Sequence, residues 1–70
     1  MKPLNIREDD YPLHLQHFEG RWHLAGTMSA GKYFDIAAHY DLSVLRQLLK
    51  ISNADLNRVV NHNPSIVLGE

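Results

Sequence analysis

The stretch YPLHLQHFEGRWHLAGTM, residues 11–28, decides the fold of this chain of 70 residues. It contains two runs in which apolar and polar residues alternate, and the dipeptide Glu19-Gly20 separates them. Alternation with a period of two is typical of a β-strand that has one buried face. Glycine supplies the positive φ that a two-residue hairpin turn requires. We therefore predict an antiparallel β-hairpin over residues 11–28, with Leu15 opposite Leu24.

When the two strands are paired about this turn, most apolar side chains of both strands fall on one face and most polar ones on the other. A register shifted by one residue would not give this separation. The predicted buried face consists of Tyr11, Leu13, Leu15, His17, Trp22, Leu24 and Met28. The predicted polar face consists of His14, Gln16, Phe18, Arg21, His23, Ala25 and Thr27. Because an isolated hairpin is only marginally stable, the rest of the chain must cover the apolar face.

We expect the next region, residues 33–62, to be mainly helical. Residues 32–40, where this region begins, fit either a third strand or a short helix. We favour the short helix, which Phe34, Ala37, Ala38 and Tyr40 would line. Residues 41–51 predict a helix with a narrow polar stripe. The apolar residues occupy so much of its circumference that we expect it to be buried on more than one side.

A last helix is predicted after Ser52. This serine with Asp55 resembles a capping box, and Asn63-Pro64 ends the helix. The tail, residues 65–70, is apolar at Ile66-Val67-Leu68, whereas chain ends are ordinarily polar and frayed. This apolar run packs either against its own domain as an edge strand or against another molecule.

Together these elements predict the α+β class. We expect one small domain, residues 1–70, in which an N-terminal antiparallel β-hairpin packs against two or three short helices, with a degenerate helix-turn-helix-like segment.

The composition narrows the classes of function. The 7 Lys and Arg residues are outnumbered by 8 Asp and Glu residues, whereas small nucleic-acid binders usually carry a basic surplus. The chain has no cysteine, which excludes disulfides and thiolate metal sites. Residues 1–7 do not fit a signal peptide, and no apolar run is long enough for a membrane span. We therefore expect a cytoplasmic protein that does not associate with membranes.

The segment DIAAHYDLSV, residues 35–44, has the outline of a helix-turn-helix, with Ala37 as the small packing residue and Asp41 in the turn. The match fails after the turn, because Gln47 and Lys50 occupy positions where the second helix of such a motif has apolar residues. A second register over residues 46–67 resembles the phage-repressor type, but its recognition helix would begin only at Pro64. The residues that would contact DNA are Ser43, Arg46, Gln47 and Lys50.

Metal binding and catalysis are not indicated. The chain has 5 histidines, but a zinc site needs three or four converging ligands, and no carboxylate lies at matching spacing beside them. Neither a nucleophile with its base nor a glycine-rich phosphate loop is visible. We expect no metal, no cofactor, no small-molecule substrate and no enzyme activity.

The remaining class is a protein that binds another protein. A near-neutral charge, an apolar helix, an apolar tail and a hairpin edge open to strand addition all favour it. We expect the contact residues on the hairpin, on its flanks and along the polar stripe of the helix. They are Tyr11, His14, Gln16, Arg21, His23, Arg46, Gln47 and Lys50.

As a small, cysteine-free chain with a hairpin, helices and a degenerate helix-turn-helix, the protein resembles the small phage-encoded transcription regulators of the Xanthomonas phage type. The resemblance implies binding to the N-terminal segment of the β′ subunit of the host RNA polymerase, with inhibition of initiation and antitermination. It assigns no role to any single residue. The alternatives are a small helix-turn-helix DNA-binding repressor and an inhibitor of another host enzyme.

Overall fold

A computed structural model describes residues 1–68. The chain forms a four-stranded mixed sheet in the order β3-β2-β1-β4, with one α-helix, α1, packed on one face. The elements are β1 (Leu13–Phe18), β2 (Arg21–Thr27), β3 (Tyr33–His39), α1 (Leu42–Ile51) and β4 (Val59–Asn61), with 3₁₀ turns at Glu8–Asp10 and Leu56–Arg58. The α+β class is therefore confirmed.

The predicted hairpin is present. Strands β1 and β2 are antiparallel, with Leu15 opposite Leu24 and Phe18 opposite Arg21. Glu19 and Gly20 have φ values of 54° and 76°, and two positive φ angles define the type I′ turn that suits the twist of a hairpin. The turn and the register are those that the sequence predicts.

The core lies between this hairpin and α1. Leu13, Leu15 and Leu24 are fully buried on one face of the sheet, and Leu45 and Leu49 of α1 are buried with them. Burying a leucine side chain contributes about 1.5–3 kcal/mol. These five residues therefore supply most of the hydrophobic stabilisation that the chain obtains from fully buried side chains.

Two positions of the predicted buried face are wrong. Met28 lies beyond β2 and is exposed, and His17 is exposed beside the half-buried Trp22. Both lie at the ends of the hairpin, His17 next to the turn and Met28 just beyond the end of β2. The polar face is not fully exposed either, because His14, His23 and Ala25 are buried there.

Residues 33–39 form strand β3, and the predicted short helix is wrong. β3 pairs with the outer edge of β2, where unpaired backbone groups would otherwise remain. A β-bulge at Ile36 sets two residues of β3 against one of β2. It places Phe34 and Ala37, three residues apart, on the same face as Gly26 and Leu24. The bulge thus reproduces a helix-like spacing within a strand.

Residues 52–62 do not form the predicted last helix. Ser52 is the C-cap of α1, and Asn53 adopts a left-handed φ of 53°. The Asn53 N–H donates to Lys50 O at 3.2 Å and the Ala54 N–H donates to Leu49 O at 3.1 Å. These two bonds make the Schellman motif that ends a helix. The capping-box pattern therefore marked the end of one helix and not the start of another.

The residues that follow form β4, which pairs in parallel with the outer edge of β1. Leu13 lies opposite Val59, and Leu15 lies opposite Asn61. The β-branched pair Val59-Val60 suits a strand, and the free edge of β1 supplies the partner. Pairing across the sheet therefore overrides the local helical pattern.

The helix-turn-helix-like segment is not confirmed. Ala37 lies in β3, and Asp41 is the N-cap of α1, where its carboxylate accepts from the Ser43 N–H at 2.9 Å. Residues 46–67 contain the end of α1 and strand β4, not a helix pair. Residues 1–68 hold α1 as their one α-helix, in place of the two or three expected.

The tail packs on its own domain as an irregular segment and not as an edge strand. Ile66 and Leu68 are half-buried, and Leu68 contacts the core. Asn61 Nδ2 donates to Ile66 O at 3.0 Å, and Arg46 Nη2 donates to Val67 O at 2.6 Å. Residues 69–70 of the predicted tail lie outside the described residues. Among residues 1–68, no helix has the length and apolar character that crossing a membrane requires.

Asn53 provides a direct test of how α1 ends. Because Asn53 holds a left-handed conformation, Asn53→Gly is expected to stabilise the fold by a few tenths to about 1 kcal/mol. Asn53→Ala is expected to destabilise it by about 1–2 kcal/mol. Urea denaturation followed by Trp22 fluorescence measures both. If residue 53 began a helix, the glycine variant would be the less stable of the two.

Gly26 tests the pairing of β2 with β3. A Cβ atom at Gly26 would lie 2.5 Å from Cζ of Phe34, so the ring would have to move. Gly26→Ala is expected to destabilise the fold by about 1–3 kcal/mol. The same substitution in a Phe34→Leu background is expected to cost less, because the obstructing ring is gone. Equal costs in the two backgrounds would contradict this contact.

Candidate functional site on the open face of the sheet

The face of the sheet opposite α1 is the candidate site. Side chains alternate between the two faces of each strand, and the cross-strand pairs show which residues share this side. We call it the open face; it consists of His14, Gln16, Phe18, Arg21, His23, Ala25, Thr27, Tyr33, Asp35, Ala38, Val60 and His62. The last of these directly follows β4, and its N–H donates to Leu15 O at 3.0 Å.

A chain of hydrogen bonds crosses the open face. The Thr27 hydroxyl donates to Pro12 O at 2.7 Å, so its oxygen is left to accept from His14 Nε2–H at 3.1 Å. Neutral His14 then has a lone pair on Nδ1, which accepts from His62 Nε2–H at 2.9 Å. The single proton of the threonine hydroxyl thus assigns the tautomers of both imidazoles.

The environment of His14 favours its neutral form. Burial lowers the pKa of His14, and the positive charge of a protonated His62 lowers it further. Protonation of His14 at Nδ1 would also remove the lone pair that accepts from His62 Nε2–H. Burial and this hydrogen bond therefore both favour neutral His14.

Aromatic rings cover the buried histidines. Tyr33 stacks on His14 with ring centroids 4.1 Å apart, and Phe18 stacks on His23 at 4.0 Å with an interplanar angle of 7°. His14 is only 6% exposed, whereas Tyr33 and Phe18 are 50% and 46% exposed. The outer layer of the open face is therefore aromatic, and the histidines form the layer beneath it.

His23 lies in that lower layer without hydrogen bonds. Neither of its ring nitrogens has a hydrogen-bond partner in residues 1–68, and both are buried. Nδ1 lies 3.4 Å from a carboxylate oxygen of Asp35, which is largely exposed. Asp35 therefore provides a counter-ion at this position whenever His23 is protonated.

Arg21 and Tyr40 extend the surface beyond the end of β2. Arg21 Nη2 donates to the Tyr40 hydroxyl at 3.0 Å, and the guanidinium lies over the ring, 4.8 Å from its centroid. Tyr40 is 66% exposed. A cation and an aromatic ring are thus held together next to Phe18, which is opposite Arg21 in the hairpin.

The predicted contact residues separate into groups. The open face brings together His14, Gln16, Arg21 and His23. Ser43, Arg46, Gln47 and Lys50 line a shallow depression on the outer side of α1. Tyr11 lies apart from both groups, against the core, where its hydroxyl accepts from the Asp55 N–H at 2.9 Å.

Tyr11 belongs to a structural cluster. The Arg58 guanidinium lies over its ring at 4.0 Å from the centroid and pairs with both Glu8 and Asp55. The hydrogen bond from Arg58 lowers the pKa of Glu8. This cluster ties the N-terminal residues to the segment before β4, so we assign it to the fold and not to the site.

The predicted contact residues do not include several residues of this surface: Phe18, Tyr33, Tyr40 and His62. Tyr33 and His62 reach it only because β3 and β4 flank the hairpin. His14 and His62 are 48 positions apart in the chain, so no local spacing signals their contact. Tyr33 could have been placed on the open face only if β3 had been predicted as a strand.

No family model, curated protein or solved structure matches this chain. Within residues 1–68, no three His, Cys, Asp or Glu side chains are grouped so that they could hold a metal ion. The open face offers exposed aromatic surface, one permanent cation and three imidazole side chains, of which His14 and His23 are buried.

The lowered pKa of His14 predicts a pH dependence of stability. A histidine whose pKa is lower in the folded state binds fewer protons there than in the unfolded chain. Its stabilisation is therefore complete above its unfolded pKa of about 6.5 and is lost as the pH falls towards its folded pKa. His14→Gln is expected to flatten the decrease in unfolding free energy that begins as the pH falls through about 6.5.

The measurement is urea denaturation at several pH values. His17→Gln, at an exposed position on the other face of the sheet, is the matched control and is expected to keep the slope of the parent chain. A His14→Gln variant with the parent slope would show that the fold does not favour neutral His14.

Proposed function

We propose that this chain is a non-enzymatic regulator of transcription that binds another protein through the open face, and that the partner is a bacterial RNA polymerase. The observation that supports binding is the layer of exposed rings on the open face and next to it. Phe18 and Tyr40 lie beside Arg21, and Tyr33 lies towards the other end of β2, opposite Thr27. Aromatic residues and arginine are the types that most often dominate binding energy at protein interfaces.

These side chains are held before any partner arrives. Tyr33 rests on His14, Phe18 rests on His23, and Tyr40 is bonded to Arg21. A side chain that is already fixed loses less conformational entropy on binding, so more of its contact energy contributes to affinity. The buried histidines thus act as supports for an aromatic surface.

The charge of the open face favours a protein over a nucleic acid. Arg21 is its permanent cation, Asp35 is an anion, and the whole chain has a formal net charge of −1. Binding to a phosphate backbone needs several cations on one surface. A protein partner needs only a few, at the rim of an aromatic contact.

Strand addition offers a second route to the same class of partner. The edges of the hairpin itself are covered by β3 and β4, so the free edges of the sheet belong to those two strands. β3 is 7 residues long and directly adjoins the exposed Tyr40. An extended segment of a partner that pairs with β3 would lie next to the aromatic layer.

The choice of RNA polymerase rests on the resemblance to small phage regulators. It names the β′ subunit as the contact, with inhibition of initiation and antitermination as the consequences. The geometry of the open face supports the class of partner, and the resemblance supplies its identity.

The test is an affinity pull-down with the tagged chain from a bacterial lysate treated with nuclease, with retained proteins identified by mass. We expect RNA polymerase subunits to be retained. Tyr33→Ser combined with Tyr40→Ser is expected to reduce the retained polymerase roughly tenfold, equivalent to about 1.4 kcal/mol. Val67→Ser is the matched control, since Val67 is exposed on the tail, beside α1.

Other outcomes are equally informative. Retention of a different enzyme, lost in the tyrosine variant, would contradict RNA polymerase as partner and support an inhibitor. Retention of DNA alone, in a lysate without nuclease, would overturn the proposal in favour of a DNA binder that uses the outer side of α1.

A further inference from the structure

We propose that a groove on the α1 side of the sheet binds a small aliphatic carboxylate. The groove has a volume of about 400 Å³ and lies between the C-terminal half of α1, the turn that follows it and the tail. We call it the helix groove; its defining residues are Arg46, Leu49, Lys50, Ala54, Leu56 and Leu68. This site is separate from the open face, and the inference does not depend on the function proposed above.

The helix groove has the size and lining of a ligand site. Ligand pockets have volumes of about 300–1,000 Å³ and are lined mainly by apolar side chains with a few polar groups. Leu49 forms a buried floor, Ala54 and Leu68 are half-buried, and Leu56 is 40% exposed. The exposed part of Leu56 is apolar surface that an alkyl chain in the groove would cover.

Two cations mark one end of the helix groove. Arg46 and Lys50 are one turn apart on α1, and they also line the adjoining depression. No carboxylate of residues 1–68 forms an ion pair with either of them. Like charges at this spacing repel each other, and an anion bound between them removes the repulsion. Their charges therefore select an anionic ligand.

Arg46 is fixed in position by the tail. Its Nη2 donates to Val67 O at 2.6 Å, and its Nε is buried without a partner in residues 1–68. A guanidinium has five N–H donors, so donors remain after the bond to Val67. A guanidinium with a restricted orientation is well suited to a carboxylate, which accepts two parallel hydrogen bonds from it.

The end of α1 does not repel such a ligand strongly. The C-terminus of a helix carries partial negative charge on its free carbonyl oxygens. Here the carbonyl oxygens of Leu48, Leu49 and Lys50 accept hydrogen bonds from the N–H groups of residues 52–54. The Schellman motif therefore reduces the negative charge that an anion next to Lys50 would meet.

The geometry defines the chemical class. The carboxylate lies at Arg46 and Lys50, and the alkyl chain runs over Leu49 towards Leu56 and Leu68. Octanoate is a suitable probe, with octan-1-ol and octyltrimethylammonium as neutral and cationic probes of the same chain length. A ligand held only by its alkyl chain would not distinguish the three head groups.

The test is a titration of the full chain, labelled with ¹⁵N, followed through its amide resonances. Octanoate is expected to give saturable shifts at Ala54, Leu56 and Leu68, with an affinity at least tenfold higher than that of octyltrimethylammonium. Equal affinities for the three probes would overturn the proposal. Octanoate shifts centred on the open face would overturn it as well.

Variants identify the groups that bind the carboxylate. Lys50→Gln, which removes a charge from an exposed side chain, is expected to weaken octanoate binding about tenfold. Lys32→Gln, at an exposed lysine outside the helix groove, is the matched control and should leave the affinity unchanged. An unchanged affinity in Lys50→Gln would contradict the proposed site, and the amide spectrum of the same sample shows whether the variant is folded.

A last variant distinguishes an external ligand from the chain's own carboxylate. Glu70 follows Leu68 by two positions in the sequence. Glu70→Gln is expected to bind octanoate with the affinity of the parent chain. A tenfold gain in affinity would show that Glu70 competes for Arg46 and Lys50, and it would overturn the proposal of an external ligand.

Discussion

The pairing of β1 with β2 about the Glu19-Gly20 turn is the constraint on which the rest of the structure depends. It places Leu13, Leu15 and Leu24 on one face and leaves two edges with unpaired backbone groups. β3 covers one edge and β4 covers the other. The chain between these strands must cross one face of the sheet, and burial of the leucines decides which. α1 therefore lies over the leucine face, and the histidine face remains open.

That arrangement explains why polar side chains are buried on the side without a helix. His14 and His23 escape solvent because Tyr33, His62 and Phe18 stack on them. A buried imidazole is tolerated when its nitrogens are bonded, and the chain from His62 to Thr27 meets this need at His14. Within residues 1–68, the ring nitrogens of His23 have no such hydrogen bonds, so His23 is held less firmly beneath Phe18 than His14 is beneath Tyr33. The exposed rings thus stand on a layer that is itself ordered.

The hairpin and α1 could be predicted from the sequence because their signals are local. The alternation in residues 11–28 fixed the register, and with it His14, Gln16, Arg21 and His23 of the open face. β3 was mistaken for a helix because its bulge sets Phe34 and Ala37 at a helical spacing. β4 was missed because parallel pairing with β1 carries no local signal. Tyr33 and His62 reach the open face through those two strands, so the sequence did not predict them as part of the site.

The claim that this chain works through its open face is tested most directly by cross-saturation between unlabelled RNA polymerase and the ¹⁵N- and ²H-labelled chain. Cross-saturation attenuates the amide signals that lie next to the protons of a bound partner. We predict attenuation along β2 and β3 and around Tyr40, with the amides of α1 unaffected. Attenuation confined to α1, or none with polymerase in excess, would contradict this account.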